Sequence, residues 1–349
     1  MAKLFVPLVL LTGCRLFAAY HPFVQADGVV DGEIVDAPGL DRGIVDVGGV
    51  EILGDAGIHD EAAPRDMVFD GRLDRALPDT GGDVASDLGG VDPAAVFGTP
   101  TLVKELSTTV GEDDPTLTGD MLEIYFNRGN DIWSSRRASV KVAWDPPQKA
   151  MVLSSTAAET NPEMTPDGLT IFLASNRTDP LAQGSYDIYI ATRAQRGKPW
   201  STPVPVPSLN GSGSDHPGPA SDLLTMVVIS DRTGSLGQHD FYLSTRTTTS
   251  SPWGTPQAIA AVNTLTQEAS AWLDASTRLL YYGSSRKNAN HDIWLSIRTG
   301  SGHSFGAPVN VASLNTSASE EDPWLSPDLR TVYFSSKRNG TIHLFMATR

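Results

Sequence analysis

Thr165-Pro166-Asp167-Gly168 runs on through Leu169 to Arg177 and, after a loop, into Asp187-Ile188-Tyr189, with Arg193 four residues later; this stretch decides the fold. Proline presets the φ of a tight turn, and Asp-Gly supplies the side-chain acceptor and the conformational freedom that close it. Leu169 to Arg177 is a short apolar run between a turn and a polar loop, the pattern of a buried strand. The parts recur. Asp131-Ile132-Trp133, Asp240-Phe241-Tyr242, Asp292-Ile293-Trp294 and His343-Leu344-Phe345 repeat the third segment, each with an arginine four residues on, at Arg137, Arg246, Arg298 and Arg349. Upstream of each lies an apolar run ending in another arginine: Met121 to Arg128, Leu224 to Arg232, Arg278 to Arg286 and Arg330 to Arg338.

A fourth segment follows in each unit, at Trp200-Ser201-Thr202-Pro203, Trp253-Gly254-Thr255-Pro256 and Phe305-Gly306-Ala307-Pro308, with a looser copy opening at Trp144. Units of about 50 residues holding four short strands are propeller blades. The chain is therefore expected to be all-β, a propeller of about five four-stranded blades over 96–349. The last unit ends at Arg349 without a fourth strand, and a spare copy stands at Phe97-Gly98-Thr99-Pro100. Pairing the segment Phe97 to Leu106 with the last unit would close the ring and cover a sheet edge. A sixth blade would require another repeat before Phe97, where no such strand pattern is found.

These residues resemble the propeller repeats of the TolB family, whose blades centre on a Ser-Pro-Asp-Gly turn, a Ser-Ser-x-Arg strand end and an Asp-Ile-Tyr strand. The resemblance covers Phe97 to Arg349 and implies the propeller fold. The TolB family has six blades and an extra N-terminal α/β domain, so its partnership with the peptidoglycan-associated lipoprotein does not transfer directly.

The N-terminal part reads differently. Lys3 precedes an apolar run from Leu4 to Leu11, too short to span a bilayer but suited to a signal peptide. Leu11-Thr12-Gly13-Cys14 resembles the lipobox of bacterial lipoproteins, which implies a signal peptide over 1–13 and lipid attachment at Cys14, the only cysteine. Arg15 in place of aspartate fits transport to the outer membrane, on its periplasmic side or surface, by the same resemblance. Between Tyr20 and Ala95 stand 17 acidic residues against four arginines, which accounts for most of the chain's net charge of −15. Like charges at this density repel, so 14–95 is expected to be a disordered acidic tether carrying the lipidated Cys14. The remainder is close to neutral and has no basic face, which argues against a nucleic-acid partner. A monomer anchored in the cell envelope is expected.

Strand order places the segment before each first strand beside the loop between the second and third. Glu112, Glu159, Glu268 and Glu320 are thereby brought near Arg128, Arg177, Arg232, Arg286 and Arg338, with Ser214 standing at the Glu position of the third unit. A feature present in every unit is read first as structural, an Arg–carboxylate pair that closes a loop. Function is sought where the units differ: His216, His239, His291 and His343 fall on this face. A divalent metal there was weighed, but no paired-histidine spacing supports it, and no cofactor is expected. The five tryptophans at repeat positions, 133, 144, 200, 253 and 294, read as packing, whereas Trp272 and Trp324 fall on first strands near the axis. No nucleophile elbow or phosphate loop is present. The residues favour a non-enzymatic binding scaffold for an envelope protein or cell-wall glycan. The alternative is a carbohydrate-active lyase or hydrolase working at the channel mouth.

Overall fold

The computed structural model describes residues 96–300 and 304–349. Cys14, the apolar run before it and the acidic tether lie outside the described residues. Twenty strands form five antiparallel four-stranded sheets around one axis. The closing strand β1 is Thr101–Leu102. Blade 1 holds β2 (Asp113–Leu117), β3 (Glu123–Arg128), β4 (Asp131–Arg136) and β5 (Gln148–Lys149). Blade 2 holds β6 (Glu159–Met164), β7 (Thr170–Ser175), β8 (Asp187–Thr192) and β9 (Val204–Pro205). Blade 3 holds β10 (Asp215–Pro219), β11 (Thr225–Ser230), β12 (Asp240–Thr245) and β13 (Gln257–Ala258). Blade 4 holds β14 (Glu268–Leu273), β15 (Leu279–Ser284), β16 (Asp292–Ile297) and β17 (Val309–Asn310). Blade 5 holds β18 (Glu320–Leu325), β19 (Thr331–Ser336) and β20 (His343–Thr348), completed by β1 in the order β1-β20-β19-β18.

Packing follows from the second strands, which are apolar on both faces. In β15, Leu279 and Tyr281 point toward blade 5 while Leu280 and Tyr282 point toward blade 3, since successive residues face opposite sides of a sheet. The buried apolar residues accordingly fall into five clusters, one at each interface between neighbouring blades, including that between blades 5 and 1. The first strands line the axis.

Closure is as the repeats imply, but the closing strand is shorter than the expected Phe97–Leu106. Only Thr101 and Leu102 pair as strand, opposite Met346 and Phe345. Single bonds extend the pairing, from Gly98 N to Thr348 O and from Val103 N to Leu344 O. A 3₁₀ turn at Lys104–Leu106 then ends it and drives Leu106 into the core. All the other outer strands are also two residues long, because the strong twist of a small propeller carries the outer edge out of pairing range.

The last arginine of each unit clamps the outer segment to its blade. The guanidiniums of Arg137, Arg193 and Arg246 lie 4.1–4.2 Å from the ring centres of Trp144, Trp200 and Trp253, and Arg349 lies 4.4 Å from that of Phe97. Phe97 thus takes the place in blade 5 that tryptophan takes in blades 1 to 3 and Phe305 in blade 4, and it is 3% exposed in the cluster between blades 4 and 5. Phe97→Ala is expected to cost about 3–5 kcal/mol, the range for truncating a buried phenylalanine. Chemical denaturation of the parent and the variant measures it, and a loss below about 1 kcal/mol would show that the ring closes without this anchor.

Candidate functional site

The repeated Arg–carboxylate ring comes first, because it accounts for most of the residues expected to bind. Glu112, Glu159, Glu268 and Glu320 are completely buried at the starts of the first strands. Each carboxylate caps the loop before it. Thr108, Ser155, Thr264 and Thr316 donate from both amide and hydroxyl at 2.6–3.1 Å. Arg128, Arg177, Arg286 and Arg338 pair with these carboxylates at 2.9–3.4 Å. The same guanidiniums donate at 2.6–2.8 Å to the carbonyls of Leu106, Leu153, Val262 and Leu314. They also lie over Trp133, Tyr189, Trp294 and Phe345 at 4.6–5.1 Å. Each pair is thereby engaged around its own loop, the geometry of a loop-closing pair, and Glu112 is in addition met by His343 of blade 5.

Blade 3 corrects the alignment read from the sequence. Asp215, not Ser214, holds the acid position: it pairs opposite Ser230 as Glu159 pairs opposite Ser175, and it accepts from Arg232 and from the Gly211 amide. The difference arises because the first strand of blade 3, counted from its acid, lacks the one extra residue that the others accommodate as a bulge. In blades 1, 2, 4 and 5 that strand carries a β-bulge. Asp114, Asn161, Ser270 and Asp322 sit at or within the bulges with φ between 38° and 57°. Blade 3 runs regularly through His216-Pro217-Gly218.

The positive φ values have a visible compensation. In blades 1, 2 and 5 the bulge turns a backbone amide sideways, toward the preceding blade. Asp114 N donates to Asp322 Oδ2 at 3.3 Å, Asn161 N to Asp114 Oδ2 at 3.0 Å, and Asp322 N to Ser270 Oγ at 2.7 Å. Where blade 3 has no bulge, His216 Nδ1 meets Asn161 Oδ1 at 2.6 Å instead. Asn161 Nδ2 passes the chain on to Asp114 Oδ1 at 2.8 Å. A belt of inter-blade hydrogen bonds therefore runs from blade 4 through blades 5, 1 and 2 to blade 3, with small polar side chains as its links.

Above the belt opens a cavity of about 210 Å³, whose walls include Asp113, Thr160, His216, His239, Gln267, Glu268 and Glu321. Burial and the nearby Asp322 carboxylate push Asp113 up to about 7, against the help of Asn127. Burial and the same neighbour raise Asp114 well above the usual carboxylate range, and Asp322 is raised by burial and by Glu321. Burial pulls His216 down to about 4, so its ring is neutral and donates Nδ1–H to Asn161. The acids of the belt are therefore biased toward their protonated forms.

The four histidines have separate settings. His216 stacks on Tyr186 at 5.7 Å and meets His239 edge-on at 5.8 Å. His291 Nδ1 lies 3.0 Å from Glu321, and although burial opposes the charged ring, this contact raises its pKa. His343 Nδ1 lies 3.0 Å from Glu112 and ties blade 5 to blade 1. Among the described residues no three His, Cys, Asp or Glu side chains converge on a metal-binding geometry. His239 stands apart: both ring nitrogens are shielded from solvent and have no hydrogen-bond partner among the described residues. Its pKa is lowered by burial.

Sequence reasoning named His216, His239 and Glu268 on this cavity but missed Asp113, Asp114, Asn161, Glu321 and Asp322. The available signal was Glu-x-Asp-Pro or Glu-x-Asn-Pro: a residue before proline avoids the helical region, and Asp and Asn tolerate positive φ.

No family model and no curated protein matches the chain. Solved structures do. The catalytic domain of an α-L-arabinofuranosidase from Coprinopsis cinerea aligns at 11% identity over 74% of this chain and 98% of its own, with TM-score 0.51. An endo-arabinase from Bacteroides thetaiotaomicron aligns at 10% identity over 73% and 98%, also with TM-score 0.51. TolB from Acinetobacter baumannii aligns at 16% identity over 70% of this chain and 56% of its own, with TM-score 0.44. At these identities the first two establish a shared propeller fold.

Two outcomes test the assignments. Glu320→Ala leaves Arg338 half-satisfied in a buried setting and is expected to cost about 3 kcal/mol, since breaking a buried pair exposes an uncompensated charge; calorimetry reads the loss. The raised Asp113 acts with the opposite sign to an ordinary salt-bridged acid. The folded state holds its proton up to about pH 7 whereas an ordinary aspartate releases it near 3.8, so stability falls as pH rises between those values. Asp113→Asn is therefore expected to raise the unfolding temperature relative to the parent at pH 8 and to change it little at pH 4. Equal shifts at both pH values would show that Asp113 ionises normally.

Proposed function

We propose that the protein is an envelope lipoprotein, anchored through Cys14, whose propeller binds the end of a polar glycan in the axial cavity and does not cleave it. The observation that carries this reading is His239, a cavity wall residue whose two ring nitrogens have no hydrogen-bond partner among the described residues. Buried polar groups are usually paired in proteins, so an orphan on a cavity wall marks a place where an exogenous partner can complete the set. The surroundings suit hydroxyl groups. Protonated carboxyls, Thr160 and Ser270 each donate and accept, and Asn161 holds its neighbours in fixed orientation through the belt.

The cavity's dimensions favour a glycan end over a folded protein. A stable protein contact needs about 800 Å² of surface on each partner, whereas about 210 Å³ accommodates one or two sugar rings. The Arg–carboxylate ring, which would be the natural protein-binding rim, is engaged within the blades. Cleavage is the second reading, and one specific observation favours it: Asp113 keeps its proton to about pH 7 beside the Asp114–Asp322 pair, as a general acid would. Arabinan-cleaving enzymes share the propeller fold. Against it, both Asp114 oxygens are held by Thr160 and Asn161, which leaves that carboxyl committed to the belt.

The test uses the full chain against soluble oligosaccharides, arabino-oligosaccharides and peptidoglycan-derived fragments included, with calorimetry for binding and a reducing-end assay for cleavage. Saturable binding without new reducing ends is expected, and His239→Ala should weaken it roughly tenfold without lowering the unfolding temperature, the loss of one or two hydrogen bonds. New reducing ends that vanish in Asp113→Asn would establish the hydrolase reading instead. Undiminished binding by His239→Ala would remove the cavity from consideration. For the anchor, Cys14→Ser is expected to move the protein from the membrane fraction to the soluble one, and continued membrane attachment would overturn it.

A further inference from the structure

The chain has seven tryptophans, and five of them serve as platforms for a cation. Trp133, Trp144, Trp200, Trp253 and Trp294 each carry an arginine guanidinium 4.1–5.1 Å from a ring centre. Among the described residues, Trp272 and Trp324 carry none. They also occupy a different place. Register puts Thr116 opposite Tyr125, Glu163 opposite Phe172, Gly218 opposite Val227, Trp272 opposite Tyr281 and Trp324 opposite Tyr333. These five residues are therefore one layer around the axis, each supplied by the equivalent position of a different blade.

The layer is asymmetric. Blades 4 and 5 are neighbours, so the two indoles stand side by side. Blade 2 adjoins neither, so Glu163 faces them from across the axis. In blade 3 the side chain is absent, and a Cβ on Gly218 would meet the Ala271 carbonyl oxygen at 2.8 Å. Both indoles and Glu163 border a cavity of about 260 Å³ at the turn end of the first strands, the end opposite the His239 cavity. Pro166, Pro219 and Pro327 form much of the remaining wall. Edge-on contacts to Tyr281 and Tyr333, at 6.1 and 6.2 Å, fix the indoles from behind.

We propose that this cavity binds an organic ammonium ion, seated against the Trp272 and Trp324 indoles with Glu163 as its counter-ion. An indole face attracts a cation more strongly than any other side-chain ring, and a methylated ammonium loses less hydration than a metal ion on entering an apolar site. The carboxyl supplies charge complementarity that a purely apolar guest would not use. Burial and the Asp322 carboxylate hold Glu163 well above the usual carboxylate range, with Thr116 hydrogen-bonding it. A bound cation would favour its ionised form and release a proton to solvent. Asp274, the other acid on the wall, already accepts from Ser276 and from the Leu279 amide and is committed to its turn.

The site is independent of the glycan reading, and the experiment separates them. Choline and its uncharged isostere 3,3-dimethylbutan-1-ol are titrated into the full chain, with tryptophan fluorescence and calorimetry as readouts. Choline is expected to saturate, and the isostere to bind roughly tenfold more weakly. Glu163→Gln keeps the shape and removes only the charge; it should weaken choline roughly tenfold and leave the isostere unchanged. Trp272→Phe should weaken choline binding while the unfolding temperature confirms a folded ring. His239→Ala should leave choline binding intact whatever it does to glycans. No saturable choline binding, equal affinity for the two probes, or a Glu163→Gln variant that binds choline like the parent would each overturn the proposal.

Discussion

Ring closure with only five blades is the constraint on which the rest of this structure depends. Each sheet must present apolar faces to two neighbours, and the fifth can do so only when the segment around Phe97 completes its outer edge. A five-fold ring also brings its innermost strands close together. Side chains separated by about 50 residues are thereby forced into one narrow space. The crowding of Asp113, Asp114 and Asp322, and the upward shift of their pKa values, follow from this geometry, because burial and like charges at short range disfavour the ionised forms.

The two arginines of each unit show how the fold manages charge while leaving the axis open. One closes the loop before the first strand through a buried carboxylate, and the other clamps the outer segment by lying on an aromatic ring. Some of the second set also reach a neighbouring blade, Arg193 to Glu123 of blade 1 and Arg137 to Tyr333 of blade 5. The polar chemistry that remains unspent is concentrated where the blades differ, at the two ends of the axis. One end is a hydrogen-bonding cavity bordered by His239 and the belt. The other is an apolar cavity with two indoles facing one acid. The β-bulges connect these features to the backbone: a positive φ at Asp114, Asn161 and Asp322 carries a local cost, offset by the inter-blade hydrogen bonds that the turned amides make.

Blade number, strand order and closure were legible from the repeat because they rest on local chemistry. A tight turn, an apolar run and an Arg four residues beyond an aromatic carry the same meaning in every unit. The Arg–Glu ring was legible for the same reason, and so was its structural character. The reading slipped where a backbone irregularity shifted the count. In blade 3, the missing bulge moved the acid from the expected position 214 to Asp215. The belt was invisible to composition, since Asp113-Asp114 and Glu321-Asp322 read as solvent-facing acids.

By itself, then, the sequence determined that this chain folds as a five-bladed propeller and which residues recur to hold each blade, because those signals repeat within a few residues of one another. Only the tertiary structure decided which side chains meet at the axis, that His239 has no hydrogen-bond partner among the described residues, and that Trp272 and Trp324 share a cavity with Glu163 while the other tryptophans lie under arginines. Those facts depend on bulge position and on the convergence of strands from different blades, and no spacing along the chain encodes a distance across the ring.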